Sequence, residues 1–316
     1  MLLEVKNFLE KYNIKNKKVI VGFSAGPDSC AMAFLLSKLA NEFNLELVLA
    51  YFNHNWRVEE AKSEEEFTKD FALKIGSEYV IEKAPLDCSK TEEVARDLRY
   101  SFFENIAKKY KSDTVILAHN KNDNIETLIY RVVKGTGTAG LCSIPQHRDI
   151  YYRPLLNISK AQILNYLKEN NIEFKIDSSN ENIKYKRNLI RKEILPLFEK
   201  INPSYLDSIE NLIKNAISTR EIVDDVLKNL ELELLENGQI IQDKYLSKSM
   251  ALRYEFLNSF IGDKLKYRNY KNIKKFDDFI LENKNSQISV NKELYLRIKK
   301  NKIYLVKHND YSKCEE

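Results

Sequence analysis

Apolar residues follow two alternating spacings along the first half of the chain. Short apolar runs lie between Lys18 and Ser24, from Leu45 to Phe52, at Tyr79–Glu82 and from Thr114 to Ala118. Between them, apolar positions recur three and four apart over Pro27 to about Ala40, Glu60 to Ile75, Thr91 to Lys109 and Asp123 to Lys134. The first spacing predicts strands and the second helices. Thr91 with Glu93 makes a cap-like opening for its helix. A short amphipathic helix precedes the first strand, and a strand (Tyr151 to Leu155) and a helix (Ser159 to Asn170) follow. Strands alternating with helices of this length predict parallel βαβ units in a doubly wound, mostly parallel α/β sheet. Ligands of such sheets sit beyond the carboxyl ends of the strands. The loops of interest are therefore Ser24–Ser29, Asn53–Arg57 and His119–Asp123.

From about Asn202 the alternation stops. Helical spacing fills Ser204 to Glu236, Lys244 to Phe260 and Tyr267 to Leu281, and a β-rich tail follows at Gln287, Leu294 and Lys302. The pattern predicts a break at Asn202-Pro203, with a Rossmann-like domain over residues 1–200 and a smaller, mainly helical domain over 201–316. Length agrees, since 316 residues suit two domains.

Charge sharpens this division. The net +5 of the whole chain hides a contrast: residues 221–240 carry one Lys against six acids, while residues 241–307 carry 16 Lys and Arg against 7 acids. The densest basic stretch, Lys264 to Lys275, includes Lys264, Lys266, Arg268 and Lys271 and interleaves them with Tyr267 and Tyr270. That composition suits phosphate contacts with stacking on unpaired bases; a solvated helix face is the competing reading. No stretch of about 18 uncharged apolar residues is present, so no membrane span is expected. Cys30, Cys88, Cys142 and Cys314 stand far apart, which fits reduced cytosolic thiols and a cytoplasmic protein.

Ser24-Ala25-Gly26-Pro27-Asp28-Ser29 follows a strand and opens a helix. Small residues let a backbone approach an anion, and the helix N-terminus adds unpaired N–H groups and a positive dipole end. Pro27 suits the first helical turn. Asp28 is out of place beside a bare polyphosphate, but makes sense if a metal ion bridges it to the phosphates or if it handles a cation. Helix capping by Ser24 and Asp28 is the alternative. Asp123 and Glu126, three apart, share one helix face near its start and could form a cation site or act as capping acids. His119 lies just past a strand at the ligand end of the sheet.

The loop resembles the SGGxDS loop of the PP-loop ATP pyrophosphatases, with Ala25 in place of the first glycine; alanine asks for an αR or β conformation there. Further motifs in order resemble the bacterial tRNA(Ile)-lysidine synthetase family: Phe52-Asn-His-Asn-Trp-Arg57, Glu92 to Tyr100, Ala118 to Thr127, Lys134 to Leu141, Arg153-Pro-Leu-Leu156, Asp177-Ser-Ser-Asn180 and Tyr185 to Arg191. Asn53, Asn55-Trp56 and Asn122 depart from the family pattern.

The resemblance implies an enzyme that uses ATP and Mg²⁺ to join L-lysine to the wobble cytidine of tRNA(Ile) with anticodon CAU, through an adenylated base. It implies that Ser24 to Ser29 hold ATP, with Asp28 holding Mg²⁺ in part. It implies catalytic roles for Asp28, Arg99, His119 and Arg191, and lysine binding by Asp123 and Glu126. Lys184, Lys186, Arg187 and the basic tail would contact tRNA. The family is compatible with a homodimer. A tRNA thiolase of the same superfamily and a non-catalytic nucleotide- or RNA-binding protein are the rival readings.

Overall fold

A computed structural model describes residues 1–55, 58–85, 91–176, 186–265, 269–282 and 286–307, with the backbone alone at residues 58–60 and 92. The motif at Asp177–Asn180 lies outside the described residues. The chain forms two compact units, Met1–Lys214 and Asn215–Glu316.

The first unit runs α1 (Leu2–Lys11), β1 (Lys17–Phe23), α2 (Pro27–Phe43), β2 (Leu45–Asn53), α3 (Val58–Ile75), β3 (Glu78–Lys83), α4 (Glu92–Lys109), β4 (Val115–Ile116) and α5 (Lys121–Lys134). A one-turn α6 (Thr138–Leu141) lies within the glycine-rich segment, followed by β5 (His147–Arg148), β6 (Tyr151–Tyr152) and α7 (Lys160–Glu169). Then come α8 (Lys186–Leu189), a π-helical turn (Ile190–Ile194), α9 (Leu195–Ile201) and the long α10 (Tyr205–Leu234), inside which the two units divide.

The sheet order is β3-β2-β1-β4-β6-β5. All pairs are parallel except β5 with β6. The chain builds outward from β1 to β2 and β3, then returns to place β4 on the other side. The order therefore reverses between β1 and β4, the geometry that opens a ligand crevice at the strand ends. Strand β4 is shorter than the apolar run Thr114–Ala118 predicts. Its ladder still extends, because Leu117 donates its N–H to the Tyr152 carbonyl at 2.9 Å.

Alternation along the strands sorts the core into two layers. Val19, Val21 and Phe23 of β1 and Leu45, Leu47 and Leu49 of β2 pack with α1, α2 and α7. Ile20, Val48, Ala50 and Phe52 face the other way, onto Phe102, Phe103 and Ile106 of α4. Gly22 belongs to this second face. A Cβ there would lie 2.7 Å from Leu117 Cδ2 and 3.0 Å from Phe103 Cζ, so the close approach of α4 excludes a side chain.

The second unit is a separate core of helices and sheet. The end of α10 leads into β7 (Leu235–Glu236) and β8 (Gln239–Ile241), then α11 (Gln242–Leu246), α12 (Met250–Ile261), α13 (Tyr270–Leu281), β9 (Gln287–Ser289), β10 (Leu294–Lys299) and β11 (Lys302–Lys307). Its sheet, ordered β7-β8-β11-β10-β9, is antiparallel throughout. Two-residue turns with positive φ at Asn237-Gly238 and Lys300-Asn301 close the β7–β8 and β10–β11 hairpins. Inside, Asp277 accepts hydrogen bonds from Tyr245 Oη (2.6 Å) and Arg253 Nε (2.8 Å). Among the described residues, no helix is long and apolar enough to cross a membrane.

Gly22→Ala should overpack the β1–α4 contact and lower unfolding free energy by about 1–3 kcal/mol, read from the urea midpoint. An unchanged midpoint would mean that Leu117 and Phe103 yield without cost.

Candidate active site

The loop after β1 is organised by its own hydroxyls and carbonyls. Ser29 Oγ donates to the Gly26 carbonyl (2.9 Å) and accepts from Ser24 N–H (3.2 Å); the Ser24 and Ser29 hydroxyls lie 3.2 Å apart. Ser29 is therefore spent on closing the loop, while Ser24 is exposed toward the crevice. Gly26 occupies the helix cap with φ −75° and no side-chain cap bond, and Pro27 starts α2. Ala25 does not take the αR or β conformation expected of alanine. Its φ is 57°, in the left-handed region, with its methyl fully buried. Its carbonyl accepts from Lys175 N–H (2.8 Å) and Cys30 Sγ (3.3 Å), which hold the peptide in this orientation. Left-handed alanine costs roughly 1–2 kcal/mol, a strain that a glycine would avoid.

Asp28 does not cap the helix. Both of its carboxylate oxygens accept from Lys160 Nζ, at 2.8 and 2.7 Å. Lys160 is the first residue of α7, and its backbone N–H donates to Asn122 Oδ1 at 3.0 Å. The Asn122 amide thus serves as an acceptor at the start of α7. Asn53, the other departure, is buried and donates to Glu65 Oε1 while accepting from Asn55 N–H.

Across the crevice, β4 leads through His119 into α5. Asn120 caps α5, and Asp123 returns the bond: Asp123 N–H donates to Asn120 Oδ1 and Asn120 N–H to Asp123 Oδ2, both at 3.0 Å. One turn on, buried Glu126 receives two bonds from Arg191, 2.6 Å from Nε and 2.8 Å from Nη2. Arg191 Nη2 is also 3.7 Å from Asp123 Oδ1. The pair exists because Ile125 packs against Ile190 and Leu195, which brings the π-helical turn onto α5. Lys121 fastens the start of α5 to α10, reaching Asp207 Oδ1 at 2.7 Å and Glu210 Oε2 at 2.5 Å.

A cavity of about 400 Å³ lies between these loops, lined among others by Ser24, Asp28, Arg99, His119 and Asp123. Its far side is formed by Tyr51, Phe52, His54 and Glu64. His119 Nδ1 is buried without a hydrogen-bond partner among the described residues. Burial, then the Arg153 and Arg99 guanidinium groups, push His119 down to about 3, so it is a neutral imidazole near pH 7. Burial pushes Asp123 up to about 6, against the Asn120 backbone bond that favours its anion and with the charge of Glu126 adding to the rise. Cys30 is buried behind the loop, and its thiol is held protonated by burial. The orphaned imidazole and the small-residue loop fit a phosphate-bearing ligand. Asp28 offers one carboxylate, a donor set suited to Mg²⁺ that arrives with phosphate oxygens. Among the described residues, no three His, Cys, Asp or Glu side chains form a metal cage.

The structure thus brings together Ser24, Asp28, Ser29, Arg99, His119 and Asp123 around the cavity, with the Glu126–Arg191 pair beside Asp123, while Ala25, Gly26 and Pro27 shape the loop without lining it. Sequence reading missed Lys160, which has no local signal of a role, and the cavity carboxylate Glu64. Lys186 opens α8 and is exposed, and Arg187 is half-buried. Lys184, Lys266 and Arg268 lie outside the described residues. Lys264 and Lys271 are exposed in the second unit, where α13 buries Ile273, Phe276 and Ile280 and exposes Lys271, Lys274 and Lys275 beside the exposed ring of Tyr270.

The Asp123 shift has a stability consequence. A carboxyl whose folded value lies above its unfolded value near 3.9 stabilises the fold below that pH, and the contribution is lost as pH rises through about 6. Asp123→Asn keeps an oxygen for the Asn120 N–H. Its stability relative to the wild type should rise between pH 4 and 7 in urea titrations. A difference independent of pH would show that Asp123 ionises normally.

A family model described as a PP-loop domain matches residues 2–198. A tRNA(Ile)-lysidine synthase of Petrotoga mobilis is 34% identical over 260 residues, covering 80% of this chain and 79% of the relative. The synthases of Clostridium tetani (36% over 230 residues) and Clostridium acetobutylicum (34% over 211) align over 70% and 63% of this chain. The chain spans about half the length of these two, 49% and 45%. Among solved structures, the U34-tRNA thiolase NcsA of Methanococcus maripaludis, determined with its [4Fe-4S] cluster, shares the fold with a TM-score of 0.56 at 20% identity, over 67% of this chain and 77% of that one. The PP-loop match over residues 2–198 and the extended alignment with the Petrotoga protein establish that this chain belongs to the tRNA(Ile)-lysidine synthase family.

Proposed function

We propose that this protein joins lysine to C2 of the wobble cytidine of tRNA(Ile) with anticodon CAU, converting ATP to AMP and pyrophosphate and changing the codon read from Met to Ile. The observation that carries the reading is one cavity walled on one side by the loop Ser24–Ser29 and on the other by His119 and Asp123. A ligase of this kind handles a polyanion, a cation and a base in one place.

Cytosine C2 is a poor electrophile. Attack of its O2 on the α-phosphate expels pyrophosphate and makes that oxygen a leaving group. The lysine ε-amine then attacks C2, and AMP departs. Exposed Ser24, the loop amides and the start of α2 suit the phosphates. Mg²⁺ comes with ATP and would be held in part by Asp28. Arg99 supplies a fixed positive charge at the cavity for the α-phosphate. Neutral His119 can donate one N–H to a phosphate oxygen but is a weak base.

The ε-amine must lose its proton, being near 10.4 when free. Asp123, with its value near 6, is the better acceptor because a base works best close to the ambient pH. Glu126 and Arg191 neutralise one another, so Asp123 is the acid of this group that attracts the ammonium. Glu126 serves lysine binding by neutralising Arg191, which would otherwise set an uncompensated positive charge beside Asp123. The thiolase reading is disfavoured at Cys30, a buried thiol without thiolate character. We assign residues 1–200 the chemistry and residues 201–316 a part in holding tRNA. The exposed lysines and Tyr270 of α13 support the latter.

The direct test is incubation with ATP, Mg²⁺, labelled lysine and a tRNA(Ile) transcript. Label should enter the CAU transcript and not one with U at the wobble position; no incorporation by folded protein would overturn the reading. Asp28→Asn should abolish incorporation, and Glu126→Ala should raise the lysine KM at least tenfold. Normal lysine saturation in that variant would remove Glu126 from the lysine site. Replacing Lys271, Lys274 and Lys275 with Ala should weaken tRNA binding and reduce the slope of log K against log salt by about 2–3. An unchanged slope would reassign this face to solvent.

A further inference from the structure

The loop Ser24–Ser29 contains no lysine or arginine, although it is the part of the cavity suited to phosphate. A cation is instead delivered to Asp28 from α7, 132 residues away in sequence: Lys160 Nζ sits on both oxygens of Asp28 at 2.7–2.8 Å. Its main chain has little freedom. Ser159 and Gln162 form a capping box around the start of α7, and the Lys160 N–H is held by Asn122 Oδ1. The Lys121 N–H donates to the Ile158 carbonyl at 2.9 Å, tying the same segment to α5. The anchored backbone leaves the four-carbon stem as the movable part, carrying an ammonium with three donors.

Asp28 stands in the first turn of α2 and lines the cavity. A carboxylate there favours the helix dipole but repels a polyphosphate. Lys160 cancels that charge. A metal ion brought by ATP competes with Lys160 for the same two oxygens, and the polyphosphate offers the displaced ammonium new acceptors.

We propose that Lys160 is the phosphate-binding lysine of this loop, parked on Asp28 in the free protein and transferred to the polyphosphate when Mg·ATP binds, leaving Asp28 to the metal. In the reaction it would bear on the departing pyrophosphate, a charge-assisted contact that binding and bond cleavage both use. The assignment rests on the ATP-dependent reading above, and its test separates the two.

Affinity for Mg²⁺ with a non-hydrolysable ATP analogue should be measured by calorimetry in wild type, Lys160→Met and Lys160→Arg, with melting temperatures as a check on folding. Lys160→Met keeps most of the stem and should weaken analogue binding roughly tenfold or more. Lys160→Arg should recover most of it, while neither variant changes the lysine KM. Lys160→Met should also need less Mg²⁺ for half-maximal analogue binding, because Asp28 is no longer occupied. Wild-type analogue affinity in folded Lys160→Met would overturn the proposal, as would a raised Mg²⁺ requirement. Wild-type protein that binds Mg·ATP analogue but labels no tRNA would instead fault the assigned reaction and leave the binding comparison decisive for Lys160.

Discussion

The position of β1 between two parallel neighbours is the constraint on which the rest depends. Parallel strands must be joined by crossovers, and a chain that leaves β1 for β2 and later returns to β4 sends those crossovers to opposite sides. The loops after β1 and β4 then part at the top of the sheet. The first supplies Ser24–Ser29 and the second supplies His119 and the start of α5, so the cavity follows from strand order. Gly22 sits beneath it, where α4 comes too close for any side chain. That same approach carries Arg99 and Tyr100 to the cavity wall.

On this scaffold, opposite charges are paired across long stretches of sequence. Asp28 meets Lys160, Glu126 meets Arg191, and Lys121 meets Asp207 and Glu210. In these pairs each charge meets its opposite, which limits the cost of taking a charge out of water. Asp123 is the partial exception. It caps α5 through Asn120 and lies only at the edge of the Arg191 guanidinium, so burial dominates and raises its pKa. A site composed mostly of neutral pairs and one poised carboxyl is chemically more selective than a site of many free charges.

Much of this was legible from residue spacing. The period-2 and period-3.6 runs mark β1 to β3 and α2 to α5 because each element buries one face or one stripe. The short β7–β8 hairpin was missed although Asn237-Gly238 is a strong two-residue turn signal; acidic helical spacing around it masked two very short strands. Ala25 was misread because local preference disfavours left-handed alanine, whereas bonds from Lys175 and Cys30 to its carbonyl impose that conformation. Asp123 and Glu126 were visible as an acidic pair three apart. That Glu126 is neutralised by Arg191, 65 residues on, was not, because the meeting depends on a π-helical turn packed against Ile125. Lys160 stayed silent for the same reason: its meaning is a contact and not a motif.

The span between Asp28 and Lys160 bears on how the protein is made. Ribosomes add about 5–20 residues per second, so the loop at Ser24–Ser29 leaves the ribosome on the order of ten seconds before the residue that neutralises its aspartate, 132 positions later. During that interval β4 and α5 are still being added and α7 is missing to the end, so the emerging chain holds an incomplete crevice with an uncompensated carboxylate. The nucleotide loop is therefore synthesised early and completed late, so a truncated nascent chain carries the loop without the groups that face it.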